Sequence, residues 1–99
     1  SNLQILSISY NKIHKLPESI TALHQLESLI FPGNNISTLP MDIHHLSKLR
    51  EFDLSNNHLL SLPDNFTKMA QLRHVRLSGN PNLRLTAEQK KFLEDKEKS

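Results

Sequence analysis

Cysteine and tryptophan are absent from these 99 residues, tyrosine occurs once and glycine twice. Without cysteine there is no disulfide framework, no thiolate zinc site and no cysteine nucleophile, although that absence does not by itself fix the compartment. Two glycines, Gly33 and Gly79, do not make a glycine-rich phosphate loop. No stretch approaches the roughly 18–20 apolar residues of a membrane span, and the polar start does not read as a secretory signal. Neither charge dominates: 12 Lys and Arg stand against 10 Asp and Glu, a formal net charge of +2. That balance argues against a nucleic-acid surface, and the sequence points to neither nucleic acid nor membrane as a partner. The length is that of one small domain, too short for a two-lobed enzyme with a cleft between the lobes.

What the chain has is aliphatic residues in a fixed rhythm. Leu and Ile fill 25 of the 99 positions, and Leu3, Leu26, Leu49 and Leu72 are spaced by 23 residues. Counting from each of these, the third residue on is Leu6, Leu29, Phe52 or Val75, and the fifth is Ile8, Phe31, Leu54 or Leu77. The eighth is always asparagine: Asn11, Asn34, Asn57, Asn80. Ile13, Ile36 and Leu59 follow, then Leu16, Leu39, Leu62 and Leu85, with Pro17, Pro40 and Pro63 directly after the first three. Ile20, Ile43 and Phe66, then Leu23, Leu46, Met69 and Phe92, complete the period.

Such a period describes a coil that returns to the same place every repeat, so that equivalent residues stack in columns. Alternation at the third and fifth positions predicts a short strand with its apolar side inward, and successive strands then pair in parallel. Asparagine at the eighth position suits the turn leaving the strand, since it tolerates unusual backbone angles and its amide can bond main-chain groups of a neighbouring coil. Leu-Pro ends the extended segment, and proline presets the first turn of a short helical return leg. No coil buries its apolar edge alone, so about three must stack before a core closes.

These residues resemble the leucine-rich-repeat family, matching LxxLxLxxNxLxxLPxxLxxLxx over residues 3–71. The 23-residue period with Leu-Pro is similar to the subclass found in Ras-binding and Ras-regulating intracellular proteins and in bacterial effectors. The resemblance implies an α/β solenoid with short parallel strands on a concave face and short helical or irregular return legs. It also implies a protein partner docked on that face, a small GTPase or a phosphatase among the candidates, and a cytoplasmic place of action or a secreted effector working inside a host cell.

The ends break the pattern. In the fourth repeat Asn82 stands at an apolar position, Thr86 replaces the proline and Gln89 replaces an apolar residue. Thr86 with Gln89 three positions on reads as a capping box opening a helix over roughly residues 87–97, with Leu85, Phe92 and Leu93 on its inner side. Lys90, Lys91, Glu94, Asp95, Lys96, Glu97 and Lys98 form a solvated face, with acids interrupting what would otherwise be a basic membrane-binding surface. The organisation expected is thus leucine-rich repeats over residues 1–85 and a C-terminal capping helix and tail over 86–99. At the other end no cap precedes the first repeat, which would expose Leu6, Ile8 and unpaired strand backbone. A monomeric segment of a longer protein is expected, with an edge-paired dimer as the alternative.

Residues between the inward columns face outward on the strands and differ from repeat to repeat. One column reads Ile5, Ser28, Glu51, His74 and another Ser7, Ile30, Asp53, Arg76. With Tyr10 they form a surface that is apolar at one end (Ile5, Tyr10, Ile30) and charged at the other (Glu51, Asp53, His74, Arg76). At about 4.8 Å per strand it is roughly 15–20 Å wide, less than a standard protein interface. Tyr10 and Arg76 are the residue types that most often anchor interfaces. Asp53 with Arg76 and Glu51 with His74 are also placed to pair with each other across neighbouring strands, which at an exposed surface contributes about 0–1 kcal/mol.

Catalytic and metal readings are disfavoured. Ser28, Glu51 and His74 share a column, but the acid stands in the middle, whereas a triad needs His between nucleophile and acid. The six histidines occupy six different offsets, and His44 with His45 are adjacent on a return leg, where consecutive side chains are not expected to converge. No catalytic residue, cofactor or metal is therefore assigned. Two glycosylation sequons, at Asn35 and Asn65, match what composition alone delivers. The function expected is a non-catalytic protein-binding module. The alternative is a partner- or substrate-selecting segment of a larger signalling protein or effector enzyme.

Overall fold

In the computed structural model residues 4–97 are described, which leaves Leu3 and Lys98 outside the description. Four strands, β1 (Ile5–Ser7), β2 (Ser28–Ile30), β3 (Glu51–Asp53) and β4 (His74–Arg76), form one sheet in chain order. All three pairings are parallel, and their register sets Leu6 beside Leu29, Leu29 beside Phe52 and Phe52 beside Val75. The 23-residue columns of the sequence are therefore the rungs of the sheet. Main-chain bonding continues past each strand, with Ile8 N–H donating to Ile30 O at 2.8 Å, Phe31 to Asp53 O at 2.8 Å and Leu54 to Arg76 O at 2.9 Å.

The return legs are single 3₁₀ turns at Glu18–Ala22, Ile43–His45 and Asp64–Lys68. Proline works here differently from the expectation that it starts the helical turn. Pro17 and Pro63 sit one residue before it in extended conformation, with ψ of 147° and 148°. Their carbonyls, and that of Pro40, accept the first turn bonds from Ile20, Phe66 and Ile43. Turns of three to five residues suit a coil this short, because the tighter 3₁₀ helix reverses the chain in fewer residues.

Each coil sends Leu, Ile and Phe inward. Leu26, Leu49, Leu29, Ile36, Ile43, Leu46, Leu54, Leu59 and Phe66 are fully buried, and Leu72 nearly so. In the first coil Leu16 and Ile20 are buried, whereas Leu6, Ile8, Ile13 and Leu23 are only half-buried. Asparagine at the eighth position is a bracket between coils. Asn57 accepts the Ile36 N–H at 3.1 Å and donates to the Phe31 carbonyl of the coil before it at 2.9 Å and to Leu54 O at 3.0 Å. Asn34 and Asn80 repeat the arrangement, whereas Asn11 is exposed and, among the described residues, its side-chain amide reaches Ser9 O at 3.4 Å while its own N–H donates to Asn34 Oδ1 at 3.2 Å. The unusual backbone angle falls one residue earlier than expected. Tyr10, Gly33, Asn56 and Gly79 have φ of 54°, 70°, 56° and 77°, so every coil turns left-handed at its seventh position.

The chain ends in helix α1 (Ala87–Glu97), opened by the expected capping box. Thr86 N–H donates to Gln89 Oε1 at 3.0 Å and Gln89 N–H to Thr86 Oγ1 at 3.1 Å. Gln89 is 2% exposed, its amide also donating to the Leu62 and Pro63 carbonyls at 3.2 and 3.1 Å. Phe92 meets Phe66 edge-to-face at 5.9 Å, and Phe66 stacks with Phe52 at 5.8 Å, joining helix, return leg and strand. Lys96 departs from the solvated face predicted for it: its ammonium donates to Ala70 O at 2.6 Å and lies 5.1 Å from the Phe92 ring centroid. No helix among the described residues is long and apolar enough to cross a membrane.

Candidate functional site

The sheet presents its outward residues in the two columns the sequence defines, Ile5–Ser28–Glu51–His74 and Ser7–Ile30–Asp53–Arg76. All seven candidate residues lie on this face or at the turn leaving it. Ile5 and Tyr10 are the most open of them, 63% and 74% exposed. Glu51, His74 and Arg76 are exposed, while Ile30 and Asp53 are half-buried.

The charged end is organised otherwise than the column neighbours suggest. Neither the Asp53–Arg76 nor the Glu51–His74 pair closes. Glu51 Oε1 accepts the hydroxyl of Ser28 at 3.1 Å, and Asp53 Oδ1 accepts the Ser55 N–H at 2.9 Å and the Ser55 hydroxyl at 2.7 Å. The two carboxylates are thus fixed by their own coil or the one before. Arg76 and His74 remain open to solvent. In the same row the Ser28 hydroxyl donates to a carboxylate and not to an imidazole, and Ser28 is 8% exposed, so the order needed to activate a serine is not assembled.

Tyr10 is held by geometry that the sequence does not announce. Its φ of 54° places a bulky residue in the left-handed region, which costs about 1–2 kcal/mol. Its ring covers Gly33, where a Cβ would overlap the ring carbons. Asn56 covers Gly79 in the same way, so large and small residues alternate down this column.

On the opposite side of the coil the structure brings together a set that sequence reasoning dismissed. Asp42, His44 and His45 each offer a donor atom, and the three atoms lie within 4.8 Å of one another. The His44 and His45 rings meet edge-to-face at 4.6 Å. The dismissal assumed α-helical spacing. In a 3₁₀ turn residues three apart eclipse, which sets Asp42 above His45. The signal available in the sequence was Asp-x-His-His on the return leg expected after Pro40.

A parallel sheet with one strand per 23-residue coil, returning through 3₁₀ turns, defines a repeat solenoid. The chain belongs to the leucine-rich-repeat family: its leucine-rich-repeat models match residues 32–81 and residues 2–23. Among solved structures, a leucine-rich-repeat protein of Leptospira interrogans superposes with a TM-score of 0.74 at 27% identity over 92% of this chain. The chain spans 28% of the length of that protein. No curated protein matches the sequence. Leucine-rich-repeat domains generally mediate protein–protein interaction and are typically non-catalytic.

Proposed function

We propose that the sheet face is the docking surface for a protein partner, with Ile5, Tyr10 and Ile30 receiving an apolar anchor and Glu51, Asp53, His74 and Arg76 matching polar and charged groups beside it. The observation that carries this reading is Tyr10. A tyrosine 74% exposed in a left-handed position is costly to the fold, and neighbouring coils use Gly or Asn there. The stacking imposes the angle, but it does not require a bulky residue there, and a strained residue of that kind is a candidate for recognition. Tyrosine also contributes large contact area at small entropic cost. Asp53 and Glu51 are held in place before any partner arrives, which lowers the ordering cost of docking. The face is small, so it acts as one part of a larger contact or as a weak, transient one.

The test is affinity capture with the wild-type chain against an Ile5→Glu, Arg76→Glu variant, with His24→Ala on a return leg as control. Capture of a partner by the wild type and the control, lost in the sheet-face variant, is expected. Equal capture by all three would remove the surface as drawn. A second reading, favoured by the greater length of the Leptospira relative, has the same face selecting a partner or substrate for a catalytic region elsewhere in a longer protein. Cytoplasmic action is proposed from the family resemblance alone.

A further inference from the structure

We infer that the second return leg carries a transition-metal site formed by the Asp42 carboxylate and the imidazoles of His44 and His45. Two nitrogens and one oxygen are a donor set for divalent zinc, cobalt, nickel or copper. Calcium and magnesium take oxygen ligands almost exclusively.

Three features of the turn support the assignment. The first is placement. Ile43, fully buried, pins the turn to the core between Asp42 and His44, and the His45 N–H donates to the Asp42 carbonyl at 2.8 Å. The donors therefore stand on a closed, anchored backbone. The second is the state of Asp42. It precedes the turn at the position where an aspartate usually caps the free N–H groups, yet its side chain makes no capping bond, so the carboxylate is left for another task. The third is His44. Its Nδ1 is shut off from solvent and has no hydrogen-bond partner, a state that costs about 1–3 kcal/mol for a buried polar group. An ion seated among the three donors would engage that ring.

The site is specific to this coil. The equivalent positions in the first coil are Ser19, Thr21 and Ala22, and in the third Asn65, Thr67 and Lys68. Tetrahedral zinc with bonds of about 2.0–2.1 Å sets its ligand atoms about 3.4 Å apart. The separation of up to 4.8 Å must close by up to roughly 1.4 Å. Asp42 and His45 are exposed and have room to do so. Three protein ligands leave at least one coordination position for water or for a donor from another molecule.

The experiment is a titration of the full chain with cobalt(II), followed by its visible d–d absorption, and with zinc(II) by calorimetry. One equivalent is expected to bind. His44→Ala and His45→Ala should each weaken binding at least tenfold, Asp42→Asn should weaken it measurably, and magnesium should give no signal. A variant with His14, His24, His58 and His74 all replaced by Ala should bind as the wild type does. Circular dichroism checks that the variants are folded, and His45→Gln, altering an exposed side chain, repeats the test should His44→Ala unfold. Absence of saturable binding, or binding that survives loss of both His44 and His45, would overturn the assignment. So would binding lost equally in the variant lacking the four scattered histidines.

Discussion

Tyr10 and Gly33 show how a single backbone angle reaches across two coils. The left-handed turn at the seventh position of each coil is imposed by the stacking, since Tyr10 N–H donates to Pro32 O at 2.9 Å, Gly33 to Ser55 O at 3.0 Å and Asn56 to Ser78 O at 2.8 Å. Glycine meets that angle without strain. At Gly33 a side chain meets two penalties, the left-handed φ of 70° and the Tyr10 ring lying over it. Gly33→Ala is therefore expected to destabilise the chain by about 2–3 kcal/mol, and by only about 1 kcal/mol in a Tyr10→Gly background, where the ring is gone. Chemical denaturation of the four chains of this double-mutant cycle reads the coupling directly. Additive losses would mean that the ring does not rest on Gly33. This constraint was not legible in the sequence. Gly33 and Gly79 were visible beside the ladder asparagines, but Tyr10 and Asn56 in the same column masked the shared backbone angle, and the freedom was assigned to the asparagine one residue on.

At the level of elements, the strands and the capping helix were legible because each rests on a local signal with a fixed period or spacing. The columns Leu6–Leu29–Phe52–Val75 and Ile5–Ser28–Glu51–His74 follow from the repeat length alone, and the Thr86–Gln89 box from two residues. The return legs were less so. Their 3₁₀ pitch depends on how few residues remain after the strand and the Leu-Pro segment, which no single side chain states, and it is this pitch that gathers Asp42, His44 and His45. The charged pairs that the columns allow on the sheet face do not form for a similar reason: Ser28 and Ser55 bond the carboxylates at shorter reach than a long arginine can. Gln89 gives the element-scale prediction. It stands where the repeat calls for an apolar residue, so Gln89→Leu restores the pattern. The change would also strip the bond to the Thr86 N–H, remove the Gln89 donor from the buried Leu62 carbonyl and leave the Pro63 carbonyl with the Phe66 N–H alone. We expect a loss of about 1–3 kcal/mol, seen as a lower urea midpoint at unchanged slope. A gain would show that burial of the leucine outweighs those bonds.

The whole molecule is one-dimensional in its energetics. Each strand packs on the strands beside it, each return leg on its neighbours, and α1 on β4 and the third return leg; among the described residues no elements of coils further apart pack on one another. Stability then accumulates from coil-to-coil interfaces and falls toward an end where an interface is missing. At the C-terminal end α1 packs on β4 and the third return leg, with Val75, Leu77, Leu83 and Leu85 half-buried around a groove of about 390 Å³ beside it. At the other end, among the described residues, Leu6, Ile8, Ile13 and Leu23 border an apolar groove of about 460 Å³. Three amides test the consequence with local chemistry held constant, because Ile8, Phe31 and Leu54 occupy the same column and donate the same bond to the next coil at 2.8, 2.8 and 2.9 Å. If the hydrogen bond alone governed exchange, all three would be protected alike. Where local opening governs it, Ile8 frays with the first coil at a fraction of the global cost. Hydrogen exchange of the 99-residue chain is expected to be at least tenfold faster at Ile8 than at Phe31 and Leu54. The Asn-bound amides of Ile13 and Ile36 should follow the same order, since Ile13 N–H reaches Asn34 Oδ1 at 3.4 Å and Ile36 N–H reaches Asn57 Oδ1 at 3.1 Å from full burial. One common rate at all five sites would mean that the stack opens only as a unit, and would remove the additive picture of its stability.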